Sequence, residues 1–369
     1  MNVLELCLSS GLGGLELYVF RCAQALEQQH RVTGVLNTAG KLTAHFSEHT
    51  QIRIHKLKPS SKLLPLLNAR SLASIIDDEQ IDVIHMHWGN DLALAALAKR
   101  FSRTKPALVY TRQMKITRHK NDLYHRFLYA QMDLMLTITR QLEQEAKQYI
   151  PVQDQQISTL YYGVKAPGAF LSREDIRQQR DKLGFAEQDF IVGLLGRLER
   201  GKGQHLLIEA MALAAQEGLE LKAMIIGHEM KQGYRNNLKD LAHSKGLDDN
   251  IVFTDFVSEP QQLMQLCDCI TLTSFEETFG LVLPEAMRSG VAVVGSNKGG
   301  VPEIITHEHT GLLFESGDAA SLYKQIRHLY TEPDFRKRLA GNGKMEADAR
   351  FKNDDHFSAL EQYLIEASQ

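Results

Sequence analysis

An arginine and a lysine follow a strand-like run in the segment GLLGRLERGKGQHLLIEA, residues 193–210. The run ends at Gly196, and Arg197 and Lys202 then lie in a short glycine-containing loop that opens a helix. A helix N-terminus attracts anions through its unpaired N–H groups and its dipole. Arginine and lysine side chains add charge-assisted hydrogen bonds. The loop therefore predicts a diphosphate site, with a solvated basic loop as the alternative.

Two glutamates, Glu277 and Glu285, lie eight residues apart in the segment TSFEETFGLVLPEAMRSG, residues 273–290. Carboxylates accept hydrogen bonds from vicinal diols, so this pair is suited to hold two sugars of one ligand. The alternative is that both glutamates only favour a helix N-terminus through the helix dipole. Backbone amides are expected beside them for phosphate oxygens, those of Phe279, Gly280 and Leu281.

Strand-like and helix-like segments alternate along the chain, and the alternation restarts after a boundary within residues 162–174. Such alternation predicts parallel βαβ units in two doubly wound domains, with ligands at the carboxyl ends of the strands. The predicted strands are 3–8, 31–36, 52–57, 83–86, 108–111, 134–138, 157–160, 190–195, 222–226, 251–253, 269–273, 291–294 and 312–314. The predicted helices are 15–26, 64–76, 92–101, 123–132, 142–149, 205–215, 234–244, 261–266, 281–289, 319–330 and 357–367.

The two motifs, in this order and about 75 residues apart, resemble the retaining glycosyltransferase family 4 (group 1) pattern. Further matching pieces are Gly13-Gly14, His85-Met86-His87, Gly299-Gly300-Val301-Pro302-Glu303 and Gly311-Leu312-Leu313-Phe314 with Gly317-Asp318. The resemblance implies an α/β GT-B fold, with two Rossmann-like doubly wound domains facing across a cleft. It implies an acceptor-side domain of residues 1–164, to which a C-terminal helix of about 352–369 returns. The nucleotide-sugar domain is then 165–351.

The resemblance also implies roles for individual residues. Arg197 and Lys202 would bind the donor diphosphate, Glu285 the ribose, and Glu277 a hydroxyl of the transferred sugar. His87 would face the donor sugar near the reacting centre. The remaining donor-binding positions would be Gly13, Gly14, Gly196, Phe279, Gly280 and Leu281.

Three positions depart from the family pattern. Tyr162 replaces the asparagine of an Asn-Gly pair, Gln113 replaces a histidine after the fifth strand, and Asp255 replaces a glycine. These departures affect the expected acceptor contacts and base recognition, and they leave the diphosphate residues unchanged.

The resemblance implies transfer of a sugar from a nucleotide-diphosphate donor with retention at the anomeric carbon. The matched motifs mark no carboxylate nucleophile for a double displacement, so a same-face displacement is favoured. Asp-x-Asp occurs nowhere in the sequence. No divalent-metal clamp and no other cofactor is therefore expected.

Other function classes fit the residues less well. Gln204 after Gly203 excludes a P-loop, and Glu16 stands where a dinucleotide-binding loop has its third glycine. A nicotinamide dehydrogenase is further disfavoured because no acidic residue follows the second strand. The alternatives kept are a GT-B transferase with a small soluble acceptor and a nucleotide-sugar epimerase or hydrolase. A non-catalytic glycan- or lipid-binding protein ranks lower.

Composition predicts a globular protein in a reducing, cytoplasmic compartment. No apolar run approaches 18 residues, and the N-terminus lacks the regions of a signal peptide. The four cysteines are too few for a disulfide framework or a four-ligand zinc site.

Positive charge is concentrated in the first half of the chain. Residues 1–165 hold 20 Lys+Arg against 14 Asp+Glu, although the whole chain has a net charge of −3. Basic residues cluster in 52–76 and 98–126, and leucines 63, 64, 66 and 67 lie inside the first stretch. Such a surface attracts anionic lipid by about 1 kcal/mol per basic residue, whereas nucleic acid is not expected.

Together with the family resemblance, these stretches lead to an expectation for the acceptor. It is a lipid-linked or phosphorylated envelope glycan, met at the inner face of the membrane. The alternative is that the leucines face the domain core and the charges are only solvated.

Overall fold

The computed structural model describes residues 1–59, 64–229, 231–255, 257 and 259–369. Within this part, the chain forms two compact units. The first contains Met1–Tyr161 and Asp354–Gln369, and the second contains Tyr162–Asn353. Each unit has a parallel sheet with helices between its strands, because parallel strands need long crossover connections.

In the described part of the first unit, seven parallel strands form one sheet. They are β1 (Asn2–Cys7), β2 (Arg31–Asn37), β3 (Arg53–Leu57), β4 (Val83–Met86), β5 (Ala107–Arg112), β6 (Leu134–Thr137) and β7 (Ile157–Thr159). The order across the sheet is β3-β2-β1-β4-β5-β6-β7. The chain order reverses between β1 and β4, so the loops after these two strands flank the crevice where doubly wound sheets bind ligands.

The second unit repeats this plan with six described strands. They are β8 (Phe190–Leu195), β9 (Leu221–Ile226), β10 (Ile251–Thr254), β11 (Cys269–Leu272), β12 (Ala292–Ser296) and β13 (Leu312–Phe314). Their order is β10-β9-β8-β11-β12-β13, and every neighbouring pair is parallel. The order reverses between β8 and β11, which places the loops carrying the two charged motifs side by side.

Helices connect the strands in both units. They are α1 (Gly14–Leu26), α2 (Lys41–His49), α3 (Leu66–Asp78), α4 (Leu92–Phe101), α5 (Leu123–Tyr129), α6 (Arg140–Tyr149), α7 (Arg173–Lys182), α8 (Gln204–Gln216), α9 (Tyr234–Ser244), α10 (Gln261–Met264), α11 (Val282–Arg288), α12 (Val301–Ile304), α13 (Ala319–Thr331), α14 (Pro333–Arg350) and α15 (Asn353–Ser368). The C-terminal helix α15 belongs almost entirely to the first unit, as the GT-B resemblance implies.

Four helices were not expected from the sequence: α2, α7, α12 and α14. The longest, α14, contains Gly341 and Gly343, and interior glycine disfavours a helix. Gly343 is buried, and a Cβ there would lie 2.8 Å from the Thr310 carbonyl oxygen. Tertiary packing thus requires a residue that weakens the local helical signal.

The expected helix 123–132 is too long, since α5 ends at Tyr129. The segment taken as an irregular boundary already contains the start of α7, whose N-cap Ser172 accepts a hydrogen bond from the Asp175 N–H at 3.1 Å. Among the described residues, no helix combines the length and the apolarity needed to cross a membrane.

Part of the expected basic surface has structural roles instead. Arg112 is buried and donates to the Tyr110 hydroxyl and to the Met114 and Lys115 carbonyls. Counting it as a surface charge was wrong. Other members of the basic stretches form ion pairs within the unit: Arg53 with Glu79, Lys99 with Asp133, and Arg103 with Asp77.

The leucines near the start of α3 are exposed. Leu64 is 59% exposed, Leu66 39% and Leu67 77%. The alternative that these three face the core is therefore wrong. Lys62 and Leu63 lie outside the described residues.

Candidate functional site

Hydrogen bonds to β9 and α8 hold the loop after β8, and Arg197 of this loop is exposed to solvent. Gly196 has φ +150°, and its N–H donates to the Ile226 carbonyl at 3.0 Å. The buried Gln204 amide donates to the Arg197 carbonyl at 2.8 Å. The Arg197 guanidinium is exposed and forms an ion pair with Glu199 at 3.1 Å. The guanidinium therefore points away from the packed side of the loop.

The loops after β8 and β11 are joined by close backbone packing. Gly203 has φ +70°, and a Cβ there would lie 2.2 Å from the Thr273 carbonyl oxygen. The Thr273 hydroxyl donates to the Lys202 carbonyl at 2.8 Å. The Phe275 N–H donates to the Gly201 carbonyl at 3.1 Å. Only glycine meets both requirements at position 203, a left-handed backbone and no side chain.

This packing brings the two predicted motifs into direct contact. The Lys202 ammonium Nζ lies 2.6 Å from Glu277 Oε2, across 75 residues of sequence. The Ser274 hydroxyl also donates to Glu277 Oε2, at 3.1 Å. Both charged side chains keep about a fifth of their surface exposed. The pair is thus preformed and accessible.

The Glu277 backbone is held by a second glycine turn. Its carbonyl accepts the Gly300 N–H at 2.8 Å, and a Cβ on Gly299 would lie 2.0 Å from that carbonyl oxygen. The segment GGVPE, singled out by the resemblance, therefore supports the Glu277 loop.

The remaining positions of the second motif divide into packing and helix-start residues. The Phe279 ring is buried and packs edge-on against Tyr162, with ring centroids 5.2 Å apart. Gly280 has φ +93°, Leu281 is the N-cap of α11, and Glu285 lies half-buried in its first turn. The Phe279 side chain thus belongs to the core, and a ligand contact at this position is restricted to its backbone.

In the first unit, Glu16 organises the glycine loop between β1 and α1. Its carboxylate accepts the Gly13 N–H at 2.8 Å and the Ser9 hydroxyl. Glu16 was noted in the sequence only as a departure from a dinucleotide fingerprint. A carboxylate that reaches back to the start of its own helix satisfies N–H groups that would otherwise lack partners.

Gly14 is the first residue of α1, and neither its conformation nor its packing requires glycine. Its φ is not in the left-handed region, and an added Cβ would meet nothing within 4 Å. The predicted ligand contact of the Gly13-Gly14 loop remains a prediction.

His87 follows β4 and is buried, with 1% of its surface exposed. Its Nε2 lies 2.6 Å from Oε2 of Glu5 on β1, and its Nδ1 lies 3.4 Å from the Gln113 amide nitrogen. Burial and the neighbouring His85 lower the pKa of His87 to about 4. His87 is therefore neutral at physiological pH, and its contact with a sugar remains a prediction.

His85, Cys22 and His87 have the residue types of a metal site. One potential ligand atom from each lies within 4.8 Å of the others. The imidazoles, however, already hydrogen-bond Glu5, Thr111 and Gln113. The cluster is therefore a satisfied hydrogen-bond network as it stands.

Sequence reasoning missed two buried carboxylates of the first unit, Glu5 and Asp91. Glu5 interrupts the apolar strand VLELC, and Asp91 precedes the apolar helix α4. Asp91 accepts the Leu8 N–H at 2.9 Å, and burial raises the pKa of its carboxyl to about 7. A lone charge within or just before an apolar run was the available signal, since buried charges are rare without partners.

The family models match both units. The model "Glycosyltransferase Family 4" matches residues 12–166, and the model "Glycosyl transferases group 1" matches residues 175–346. EpsD of Bacillus subtilis, a glycosyltransferase by name, is 30% identical over 75% of this chain and 75% of its own. The N-acetyl-alpha-D-glucosaminyl L-malate synthase of Bacillus anthracis is 25% identical over 79% of this chain and 77% of its own. The chain belongs to the group 1 glycosyltransferases of family 4.

Solved structures agree on the fold. A glycosyltransferase from Rickettsia africae superimposes with a TM-score of 0.87 at 19% identity, covering 99% of this chain and 98% of that one. Anabaena Alr3699/HepE, solved with UDP, superimposes with a TM-score of 0.85 at 24% identity, covering 99% and 100%. The fold is that of GT-B glycosyltransferases, and the predicted fold class is confirmed.

Proposed function

We propose that this protein transfers a sugar from a nucleotide-diphosphate sugar to an acceptor, with retention at the anomeric carbon. The observation that carries the proposal is the contact between Lys202 and Glu277, at 2.6 Å, which joins the loop carrying Arg197 to the loop after β11. Two cationic side chains suit a diphosphate, and the adjacent carboxylate suits sugar hydroxyls. Glu285 is proposed to hold the ribose.

The same residues support departure of the nucleoside diphosphate. Negative charge grows on the leaving phosphate as the glycosidic bond breaks, and Arg197 and Lys202 stabilise it. In a same-face displacement this phosphate also accepts the proton of the acceptor hydroxyl, so no carboxylate nucleophile is needed. The backbone amides of Gly280 and Leu281 are proposed to bind the phosphate oxygens at the start of α11.

Uridine nucleotides are the first donors to test, because HepE was solved with UDP and with UDP-glucose. Thermal unfolding is measured with UDP-, GDP- and ADP-sugars, since a ligand that binds only the folded state raises the melting temperature. Stabilisation by one donor class in the wild-type protein, and its loss in Glu285→Gln, is expected. No stabilisation by any nucleotide would contradict the proposal.

Product analysis tests the reaction type. NMR coupling constants give the anomeric configuration of the transferred sugar in the product. The same configuration as in the donor supports retention, and the opposite configuration contradicts it. Donor consumption in the absence of acceptor would favour the epimerase or hydrolase alternative. Full turnover in excess EDTA is expected, and a strict Mg²⁺ or Mn²⁺ requirement would overturn the proposed metal independence.

For the acceptor, we propose a lipid-linked or phosphorylated glycan met at an anionic membrane surface on the inner face. Two surfaces at the carboxyl edge of the first sheet support this. The leucine patch, at the end of β3 and the start of α3, is formed by Lys56, Lys58, Leu64, Leu66, Leu67 and Arg70. The second surface, after β5, is formed by Met114, Lys115, Arg118, Leu123, Arg126 and Phe127.

Each surface combines exposed apolar side chains with basic ones. Leu67 and Leu123 are 77% and 84% exposed, and soluble domains rarely expose large apolar side chains in groups. Apolar side chains that enter the lipid interface beside cationic ones bind anionic membranes. WaaB, whose structure superimposes with a TM-score of 0.78, is by its title a lipopolysaccharide outer core galactosyltransferase.

Vesicle binding tests the membrane contact. The wild-type protein is expected to sediment with anionic vesicles at low salt, and charge reversal at Lys56 and Lys58 should weaken binding. The matched control is Lys324→Glu, an exposed lysine on α13 of the second unit. No binding at low salt, together with efficient glycosylation of a small neutral acceptor, would overturn the proposal in favour of a soluble acceptor.

A further inference from the structure

A carboxylate lies in the middle of the central strand of the first sheet. Glu5 is fully buried in β1, and both of its oxygens accept hydrogen bonds from histidines of the neighbouring strand and its end. The distances are 3.0 Å from His85 Nδ1 to Oε1 and 2.6 Å from His87 Nε2 to Oε2. A buried charge is costly unless every lone pair that needs a partner finds one. An apolar residue at this buried position would avoid the cost of removing a charge from water, so the presence of Glu5 requires an explanation.

Proton positions in this network follow from the chemistry of its members. Burial raises the pKa of Glu5, but its interactions with His85 and His87 outweigh that effect and hold the pKa below its usual range. Ionised Glu5 only accepts hydrogen bonds, so His87 carries its proton on Nε2. Neutral His87 then has a lone pair on Nδ1, which accepts from the Gln113 amide at 3.4 Å.

His85 meets Glu5 through its other ring nitrogen. Its Nδ1 carries the proton donated to Glu5, and its Nε2 lies 2.7 Å from the Thr111 hydroxyl. One carboxylate therefore accepts from a different nitrogen in each of two imidazoles.

We propose that Glu5 is a positioning residue that holds His87 in the Nε2–H tautomer and directs its Nδ1 lone pair toward Gln113, beyond β4 and β5. The proposal rests on the proposed function, in which His87 lies near the reacting sugar. It adds that His87 accepts a hydrogen bond from its Nδ1 side. When a sugar hydroxyl replaces the Gln113 amide, this lone pair can accept a hydrogen bond from it.

Two substitutions of Glu5 separate positioning from simple packing. Glu5→Leu keeps the side-chain size and removes the acceptor of both N–H groups, so His87 loses its fixed tautomer. In Glu5→Gln, the amide oxygen still accepts from His87 Nε2. The amide nitrogen then donates to His85 Nδ1, because the Thr111 hydroxyl can accept from a proton on His85 Nε2. Glu5→Gln thus preserves the His87 tautomer.

The tautomers are measured by ¹⁵N NMR of histidine-labelled protein, with His87 signals assigned by comparison with His87→Asn. We expect His87 protonated on Nε2 in the wild-type protein and in Glu5→Gln, and a mixture in Glu5→Leu. Turnover is expected to fall on the order of 10- to 100-fold in Glu5→Leu, by analogy with metal-ligating histidines that lose the hydrogen bond orienting them. Glu5→Gln should retain most activity. Glu79→Gln is the matched control, because Glu79 is a buried carboxylate paired with Arg31 and Arg53 elsewhere in the same unit.

The NMR and turnover measurements distinguish failure of this proposal from failure of the proposed function. A wild-type His87 that is protonated on Nδ1, or is a mixture, overturns it whether or not the protein transfers sugar. Unchanged turnover in a folded Glu5→Leu protein also overturns it. If Glu5→Leu fails to fold, the wild-type and Glu5→Gln spectra still decide. If the wild-type protein shows the expected tautomers but no transferase activity, only the proposed function is contradicted.

Discussion

Lys202 Nζ and Glu277 Oε2 lie 2.6 Å apart, although 75 residues separate them in the chain. The contact links the two loops that follow β8 and β11, the adjacent strands at which the second sheet reverses its order. Under the proposed function, the cation of this pair binds a phosphate and the carboxylate binds sugar hydroxyls.

Replacing Lys202 by alanine is expected to lower kcat/KM on the order of 10²- to 10³-fold, because it removes a preorganised cation from the leaving diphosphate. Donor-dependent thermal stabilisation should fall in the same variant. Lys222→Ala is the control, since Lys222 is a partly exposed lysine of the same unit that donates to the Asp249 carbonyl. Equal activity of the two variants would show that Lys202 does not contact the donor.

Gly14→Ala separates a ligand role from a structural one. The added methyl meets nothing in the first unit, and alanine is favoured in a helix. The unfolding free energy should therefore stay equal or rise by up to about 1 kcal/mol. If the Gly14 backbone approaches a ligand, kcat/KM falls about tenfold or more, which corresponds to about 1.4 kcal/mol.

The control for Gly14→Ala is Gly341→Ala in α14, where an added Cβ also meets nothing within 4 Å. It should stabilise the protein without changing turnover. A fully active Gly14→Ala protein would refute the predicted role of Gly14.

Gly203→Ala is expected to destabilise the second unit by roughly 2–4 kcal/mol, because alanine is strained at φ +70° and its Cβ would clash with the Thr273 carbonyl. Urea unfolding followed by circular dichroism measures the change. Gly201→Ala, two residues earlier, lacks both problems, since its φ is not left-handed and its Cβ would meet nothing. Similar stability of the two variants would contradict the role assigned to Gly203.

His356 makes the first unit sensitive to acid. Its Nδ1 lies 2.7 Å from the Tyr161 carbonyl, and its Nε2 lies 3.0 Å from the Tyr18 hydroxyl. Burial lowers the pKa of His356 from 6.5 to about 4. Between these values the unfolded chain binds a proton that the folded protein does not. Stability is therefore lost as pH falls from 6.5 toward 4, by up to about 3 kcal/mol from this group.

Glutamine at position 356 can donate to Tyr161 and accept from Tyr18 without titrating. Between pH 6.5 and 4, the slope of the unfolding free energy against pH should then be smaller in His356→Gln, by an amount that corresponds to nearly one bound proton. Fluorescence of Trp88, the single tryptophan, reports unfolding of the first unit. His243→Gln, at an exposed position on α9, is the control. An identical pH slope in the wild-type protein and His356→Gln would show that the histidine titrates normally.

Much of the fold is readable from local signals. Short, mainly apolar runs predict β1, β4 and β8, because both faces of a central parallel strand are buried; Glu5 and His85 are the polar exceptions in β1 and β4. Helix α14 was not predicted, because it contains glycines that weaken the helical pattern. Gly343 is needed there because the Thr310 backbone packs against it, and sequence periodicity does not report such a contact.

Local signals in the sequence are enough to predict the alternating parallel architecture, because strand runs and helix starts depend on a few neighbouring residues. They also place Arg197, Lys202 and Glu277 in two charged loops, with Glu285 at a helix start. Which charges meet depends on the tertiary structure. It joined Lys202 to Glu277 and Glu5 to His87, buried Arg112, and left Leu67 exposed. Those outcomes depend on which strands are neighbours in the sheet and on how each side chain is packed, and residues far apart in sequence set both.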